Sequence, residues 1–427
     1  MTHFGIICPA AGGHSNPMSA LAIELVSRGH RCTFFQVCDW EEAIRSQGLD
    51  FHSIGVREFP PGSWNAVLER LGHIDGLDSL KFTIEAWRRN LEIICRDVPP
   101  ALERLGVDAL LVDQCEPGGT SVAEHVGVPA VTLCMAMLLN QHKDIPPAIT
   151  PWKYRPIWWA RWRNRVGYFA LNRLSAPIMR TLGEQRRHWG LPPFASFNDT
   201  CSPLAQISQQ PREFEFPRTH LPDTFHFCGP LRRLDAYQGL EGELASVAET
   251  DRPLIYGSLG TIQNRKKELF WTMAAACAEL DVQLVIAHSG VLSDEEARSL
   301  PGRTLAVRWV PQPAILKNAN LCITHCGMNT VLDALSQGVP CVGIPQAHEQ
   351  PAIARRLEWT GTGISLGVDP LTPRSLRAGI EKLLGEPAYY QAARRLQAAI
   401  KVAGGVIRAA DICEQVAASR QAVSSIG

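Results

Sequence analysis

The sequence predicts an α/β protein built as two Rossmann-like domains facing each other across a cleft, and three observations carry that prediction. Short apolar runs alternate with longer segments of helical spacing, the pattern of parallel strands wrapped by helices. The alternation runs through the first half and restarts in the second. Between the two series lies GPLRRLDAYQGLEGELASVAETDR (residues 229–252), polar and broken by glycine, where a domain boundary belongs. A chain of 427 residues is long enough for two cores. The expected division is residues 1–230, a linker at 231–251, and residues 252–427.

In the first half, HFGIICP opens the series as a buried strand, since a run apolar at nearly every position suits a strand covered on both faces. NPMSALAIELVSRG follows with helical spacing and a terminal glycine, and Pro17 suits its first turn. RCTFFQVC, GVDALLVDQ and VPAVTLC read as further strands. DRPLIYGSLGT, DVQLVIAHSG, RTLAVRWV, NLCITHCG and VPCVGIPQ form the second series. Residues 374–417 are helical by composition. By analogy with other two-domain proteins, the last helix is expected to cross back onto the first domain.

Composition narrows the function. The 42 basic and 42 acidic side chains cancel, which argues against nucleic acid as a partner. The 13 cysteines have neither C-x-x-C nor zinc-ligand spacing, and Cys8, Cys32, Cys322 and Cys341 lie inside apolar runs. They read as reduced core residues of a cytoplasmic protein. The first residues read as a strand without a basic region, long apolar run and cleavage site, so no secretory signal is expected, and no run reaches the ~18 apolar residues of a membrane span.

Chemistry concentrates in two places. Residues 309–350 read WVPQPAILKNANLCITHCGMNTVLDALSQGVPCVGIPQAHEQ. Within them HCGMNT joins a strand to a helix, and a helix start attracts phosphate through its unpaired N–H groups and dipole. Gly327 permits close backbone approach, while His325, Asn329 and Thr330 add side-chain donors. Taken alone, the segment is equally a plain turn capped by Asn or Thr. The second place is the loop AAGGHSNP after the first strand, with His14 aimed at the carboxyl end of the sheet, where ligands bind in such folds. Asp113 ends the strand DALLVD and is either the partner that orients the imidazole or a helix cap. The loop lacks G-x-G-x-x-G, which disfavours an NAD-dependent oxidoreductase.

W-x-P-Q, HCGMNT and the closing Glu-Gln pair, together with G-H-x-N-P and its L-A-x-E-L helix, resemble the family 1 UDP-glycosyltransferases. The resemblance covers both halves, strongest at residues 5–29 and 309–357 and weak at 59–90 and 140–230. It implies the GT-B fold, an acceptor-binding first domain, a donor-binding second domain, and a UDP-sugar as co-substrate with no further cofactor. It also implies that Trp309 stacks on uracil, that Gln312 faces the base, and that Glu349 and Gln350 read sugar hydroxyls. Ser258 and Thr261 of the YGSLGT turn would contact phosphate or sugar. Gln350 resembles the final residue of glucose-using members, so UDP-glucose is the expected donor.

The chain also departs from the plant members. They hold the ribose with Glu where this chain has the shorter Asp333, and Met328 stands where they carry Trp. His14 and Asp113 match the family's catalytic pair, implying that His14 takes the acceptor proton, Asp113 stabilises the imidazolium, and the anomeric configuration inverts. The D-x-D that holds a metal in many glycosyltransferases does not occur, so metal-independent catalysis is expected.

Two features bear on the acceptor. Residues 151–174, PWKYRPIWWARWRNRVGYFALNRL, hold four Trp and six Lys or Arg with no acidic residue, and Trp158, Trp162, Val166 and Phe169 recur at helical spacing. Such a segment either packs its rings inward or lies in a membrane interface as a peripheral contact. HCGMNTVLDAL and EQPAIARRL resemble the carotenoid (zeaxanthin) glucosyltransferases. The expected acceptor is therefore lipophilic, a hydroxylated carotenoid such as zeaxanthin, with a macrolide, sterol or phenolic natural product as the alternative. A sugar-nucleotide epimerase, and a nucleotide-sugar or lipid-binding protein without transfer activity, stand as rivals.

Overall fold

Seven parallel strands form the first sheet: β1 (His3–Ile7), β2 (Arg31–Gln36), β3 (Asp50–Ser53), β4 (Ala109–Asp113), β5 (Ala130–Cys134), β6 (Gln206–Ser208) and β7 (Phe225–Phe227). Their spatial order is β3-β2-β1-β4-β5-β6-β7. Six more form the second: β8 (Leu254–Ser258), β9 (Gln283–Ala287), β10 (Thr304–Val307), β11 (Leu321–Thr324), β12 (Cys341–Gly343) and β13 (Gly363–Ser365). Their order, β10-β9-β8-β11-β12-β13, repeats the winding of the first. The structure, a computed structural model, describes residues 1–74, 76–232, 239–249, 251–261, 266–368 and 370–425, without the side chains of 71–73 and 77. Residues 233–238 and 250 of the expected linker lie outside the described residues.

Each sheet reverses its direction of winding once, between β1 and β4 and between β8 and β11. At such a switch point neighbouring turns diverge and leave a crevice at the carboxyl ends of the strands. Register places the turns side by side: Ile7 pairs with Val112, and Ser258 with Thr324. The loop carrying His14 therefore opens beside Asp113, and YGSLGT opens beside HCGMNT.

The first helix differs from its expected limits. It spans Gly12–Ser27, with extended Ala11 before it, so His14 lies in its first turn and Pro17 inside it. Proline has no N–H for the carbonyl four residues earlier and usually weakens a helix for that reason. Here that carbonyl, Gly13 O, has another partner in the second domain: Asn329 Nδ2 donates to it at 3.0 Å.

The helix Gly405–Ser419 crosses from the second domain and buries Ala409, Ile412, Cys413 and Val416 in one core with Phe4, Leu21 and Leu25. Arg28 Nη1 holds it from outside through Asp411 and Glu414, both at 2.7 Å. A second tie is internal. Arg356, on the helix Gln350–Thr360, donates to Glu215 Oε1 through Nε at 3.1 Å and also through Nη2, and both side chains are buried. All 13 cysteines are free, and 12 of them are buried.

Candidate active site

One cleft of about 1540 Å³ runs between the domains and is lined from both sides. His14 faces it from the first domain; Ser258, Thr261, Trp309, Gln312, His325, Gly327, Asn329, Thr330, Asp333, Glu349 and Gln350 face it from the second. A cavity of about 1040 Å³ elsewhere in the first domain touches neither His14 nor the HCGMNT turn, so the chemistry belongs to the larger space.

His14 Nδ1 lies 2.8 Å from Asp113 Oδ2. Asp113 is buried at the end of β4, and its other oxygen accepts the Cys115 N–H at 2.9 Å. A carboxylate fixed this way makes Nδ1 the protonated nitrogen and leaves Nε2 as a proton acceptor. Burial lowers the affinity of the ring for a proton. The Asp113 charge and hydrogen bond, with the charges of Glu349 and Glu116, outweigh burial and raise the pKa above its ordinary value. Glu116 gave no signal in the sequence. Burial, and then the Asp113 charge, push its carboxyl up to about 8, although Asn90 donates to it at 2.8 Å.

Across the cleft, the helix Met328–Ser336 starts after Gly327. Cys326 before it takes φ 66°, an uncommon conformation for a residue with a side chain, and this turns the chain sharply at the crevice. The His325 ring lies against Gly260 and Gly327, where a Cβ at either position would strike it. Burial holds its pKa down to about 4, so the ring is neutral at pH 7, and its Nδ1 has no partner among the described residues. Trp309 is 68% exposed, which is open platform and not core.

Four residues expected to contact the donor are held by internal hydrogen bonds. Gln312 is occupied internally: its Oε1 accepts from Tyr256 and Thr330 at 3.2 and 3.3 Å, and its Nε2 donates to Asp333 Oδ2 at 2.7 Å. Asp333 Oδ1 accepts from Arg232 Nε at 3.1 Å, so both carboxylate oxygens are taken. The Asn329 amide bridges the domains, donating to Gly13 O and accepting from Gln209 Nε2 at 3.0 Å. Gln350 Oε1 accepts the Gln346 and Ala347 N–H groups and fixes the turn before its helix. Ser258 is buried, whereas Thr261 is exposed at the rim.

Trp158, Trp162 and Phe169 do not line the cleft. They point outward from the helix Trp158–Leu174, and the inward packing allowed by the sequence does not occur. The same helix gives Tyr168 and Leu171 to the cleft wall. The rest of that wall is rich in large apolar side chains, including Trp40, Trp64, Phe82, Trp87 and Met135, with Gln36, Asn65, Asn90 and Gln141 among them. Most of these lie in the segments of weak resemblance, where nothing distinguished them from core residues.

Two side-chain groups among the described residues are close enough to share an ion. In His14–Asp113–Cys115, burial raises the thiol pKa well above its ordinary value, which disfavours the ligating thiolate. In His142–Asp144–His220, His142 Nδ1 already accepts the Asp144 N–H at 3.2 Å.

The family model of the erythromycin biosynthesis protein CIII-like C-terminal domain matches residues 271–404. A zeaxanthin glucosyltransferase of Pantoea ananas is 38% identical over 427 residues, covering 100% of this chain and 98% of its own. One from Pseudescherichia vulneris is 34% identical, covering 99% of this chain and 100% of its own. Among solved structures, the glycotransferase of kitacinnamycin matches with a TM-score of 0.77 over 97% of this chain and 98% of its own, at 22% identity, a likeness of fold. The two full-length relatives carry the conclusion that the chain belongs to the family 1 UDP-glycosyltransferases, as a UDP-dependent glycosyltransferase of the GT-B fold similar to the bacterial zeaxanthin glucosyltransferases.

Proposed function

We propose that the protein transfers glucose from UDP-glucose to a hydroxyl of a lipophilic acceptor, a hydroxylated carotenoid such as zeaxanthin. It does so with inversion, without a metal, and in peripheral contact with a membrane. The observation that carries the reading is the His14–Asp113 pair at 2.8 Å, at one switch point and across the cleft from a helix start at the other.

His14 Nε2 takes the proton of the acceptor hydroxyl as its oxygen attacks the anomeric carbon. The bond to the UDP oxygen breaks on the opposite face, giving a β-glucoside from the α-linked donor. Asp113 balances the imidazolium. The N–H groups of the helix start and the neutral His325 ring meet the charge that grows on UDP. Trp309 stacks on uracil, the Gln312 segment faces the base through its backbone, and Glu349 with Gln350 reads the sugar. The large apolar side chains of the first-domain wall, and the two relatives named for zeaxanthin, support the acceptor.

The test is mass spectrometry of products formed with UDP-glucose and EDTA over carotenoid diols, sterols, macrolides and phenols. A hexose added to the carotenoid is expected. Transfer to phenols alone would remove the lipophilic acceptor, and dependence on added metal would remove the charge-balancing role given to His325 and the helix start.

A further inference from the structure

The helix Trp158–Leu174 has two faces of different character. Ala160 and Asn164 are buried, Asn164 Nδ2 donates to Lys143 O at 3.0 Å, and Tyr168 and Leu171 reach the cleft. On the opposite side Trp158, Phe169 and Trp162 are 78%, 73% and 64% exposed. At about 100° per residue these three fall within roughly 40° of one another, with Val166 and Trp159 extending the stripe. Arg161 and Arg165 flank one side of it, and Arg173 falls within its arc near the helix end. Arg161 is paired with Asp144 at 2.7 Å, whereas Lys153, Arg155, Arg165 and Arg173 have no carboxylate partner among the described residues.

We propose that this helix lies in the headgroup layer of an anionic lipid bilayer, with its rings at the acyl boundary and its free cations against lipid phosphates. The occupant follows from charge. Two copies of the face brought together would set arginine against arginine, and a neutral partner would leave the cations unmet. Indoles flanked by arginine, on a helix whose net charge is positive, suit an anionic interface. The inner face completes the argument. Because Tyr168 and Leu171 on the same helix wall the cleft, docking would bring the acceptor side of the cleft next to the bilayer that holds a lipophilic acceptor. This link rests on the lipophilic acceptor proposed above; the docking itself does not.

The experiment is flotation of the full chain with vesicles of phosphatidylcholine alone or mixed with phosphatidylglycerol, at low and high salt. Binding at least about tenfold stronger to the anionic vesicles, and reduced by salt, is expected. The triple variant Trp158→Ala, Trp162→Ala, Phe169→Ala changes only exposed side chains. It should lose about tenfold or more of the vesicle binding and lose transfer to a carotenoid held in vesicles to a similar degree. Transfer to the same carotenoid in cyclodextrin should be unchanged. Equal binding by the triple variant, or equal binding to both vesicle types, overturns the docking surface, as does a self-association or RNA binding that the triple variant abolishes in place of vesicle binding. Vesicle binding without glucosylation of any carotenoid leaves docking standing and removes the proposed acceptor.

Discussion

At the scale of single residues, the commitment of His14 Nδ1 to Asp113 makes Nε2 the only proton acceptor the ring can offer a substrate. His14→Ala is expected to cut turnover by about 10²–10⁴-fold while calorimetry shows unchanged UDP binding; surviving turnover would remove His14 from the chemistry. The ring acts only when neutral, so kcat/KM should fall as pH drops through a pKa above the ordinary histidine value. Asp113→Asn removes the charge that outweighs burial, so the acid limb of the pH profile should move to lower pH as kcat falls. An unmoved limb would assign that ionisation elsewhere. The sign for stability is opposite. A raised folded-state pKa contributes stability that is fully present below the unfolded value and is lost as pH rises through the folded one. Gly327→Ala separates the donor side, because φ −65° and ψ 135° suit alanine and only the His325 ring must move. A loss of about 10²-fold in kcat/KM is expected, the order seen when one preorganised donor is removed, with little change in the unfolding midpoint.

Among elements, the helix Gly12–Ser27 ties local geometry to catalysis, since Pro17 leaves the carbonyl that Asn329 holds from the other domain. Pro17→Ala restores a competing N–H to Gly13 O. Turnover should fall severalfold with the unfolding midpoint held or raised; unchanged turnover would mean that the cross-cleft bond does not align the two helix starts. The same helix shows where the sequence was legible. The strand before it, its terminal glycine and its apolar spacing were plain, and so were the eight other strands that lie in apolar runs. Its start was not, because Gly12 and Gly13 carry no helical signal and a proline argues for a first turn. The strands β3, β6, β7 and β13 (DFHS, QIS, FHF and GIS) are short and mix polar residues or glycine with few apolar ones, whereas the equally short β12 lies inside the apolar run VPCVGIP. The residues proposed to bind the donor stood out by order and spacing. Arg232 and Gln209, which hold Asp333 and Asn329, and Glu116 beside the His14–Asp113 pair did not, because only the fold brings them to these partners.

Across the whole molecule, the buried Glu215–Arg356 pair joins the domains behind the cleft, with Arg218 Nε 3.5 Å from the same carboxylate oxygen. Glu215→Gln leaves Arg356 buried without its counter-charge, and a loss of about 3–5 kcal/mol is expected from denaturant unfolding. The double variant Glu215→Leu, Arg356→Met should recover much of it; failure to recover would mean that the pair contributes more than mutual neutralisation. The helix Gly405–Ser419 makes the division into domains incomplete, because it supplies core to the first while following the second in sequence. This has a consequence during synthesis. A ribosome adding roughly 5–20 residues per second finishes the first sheet long before that helix emerges. Until then Leu21 and Leu25 of the nascent chain lack part of their cover. Any product released before residue 405 keeps that groove open, which makes it a substrate for chaperones and proteases and not a smaller working enzyme.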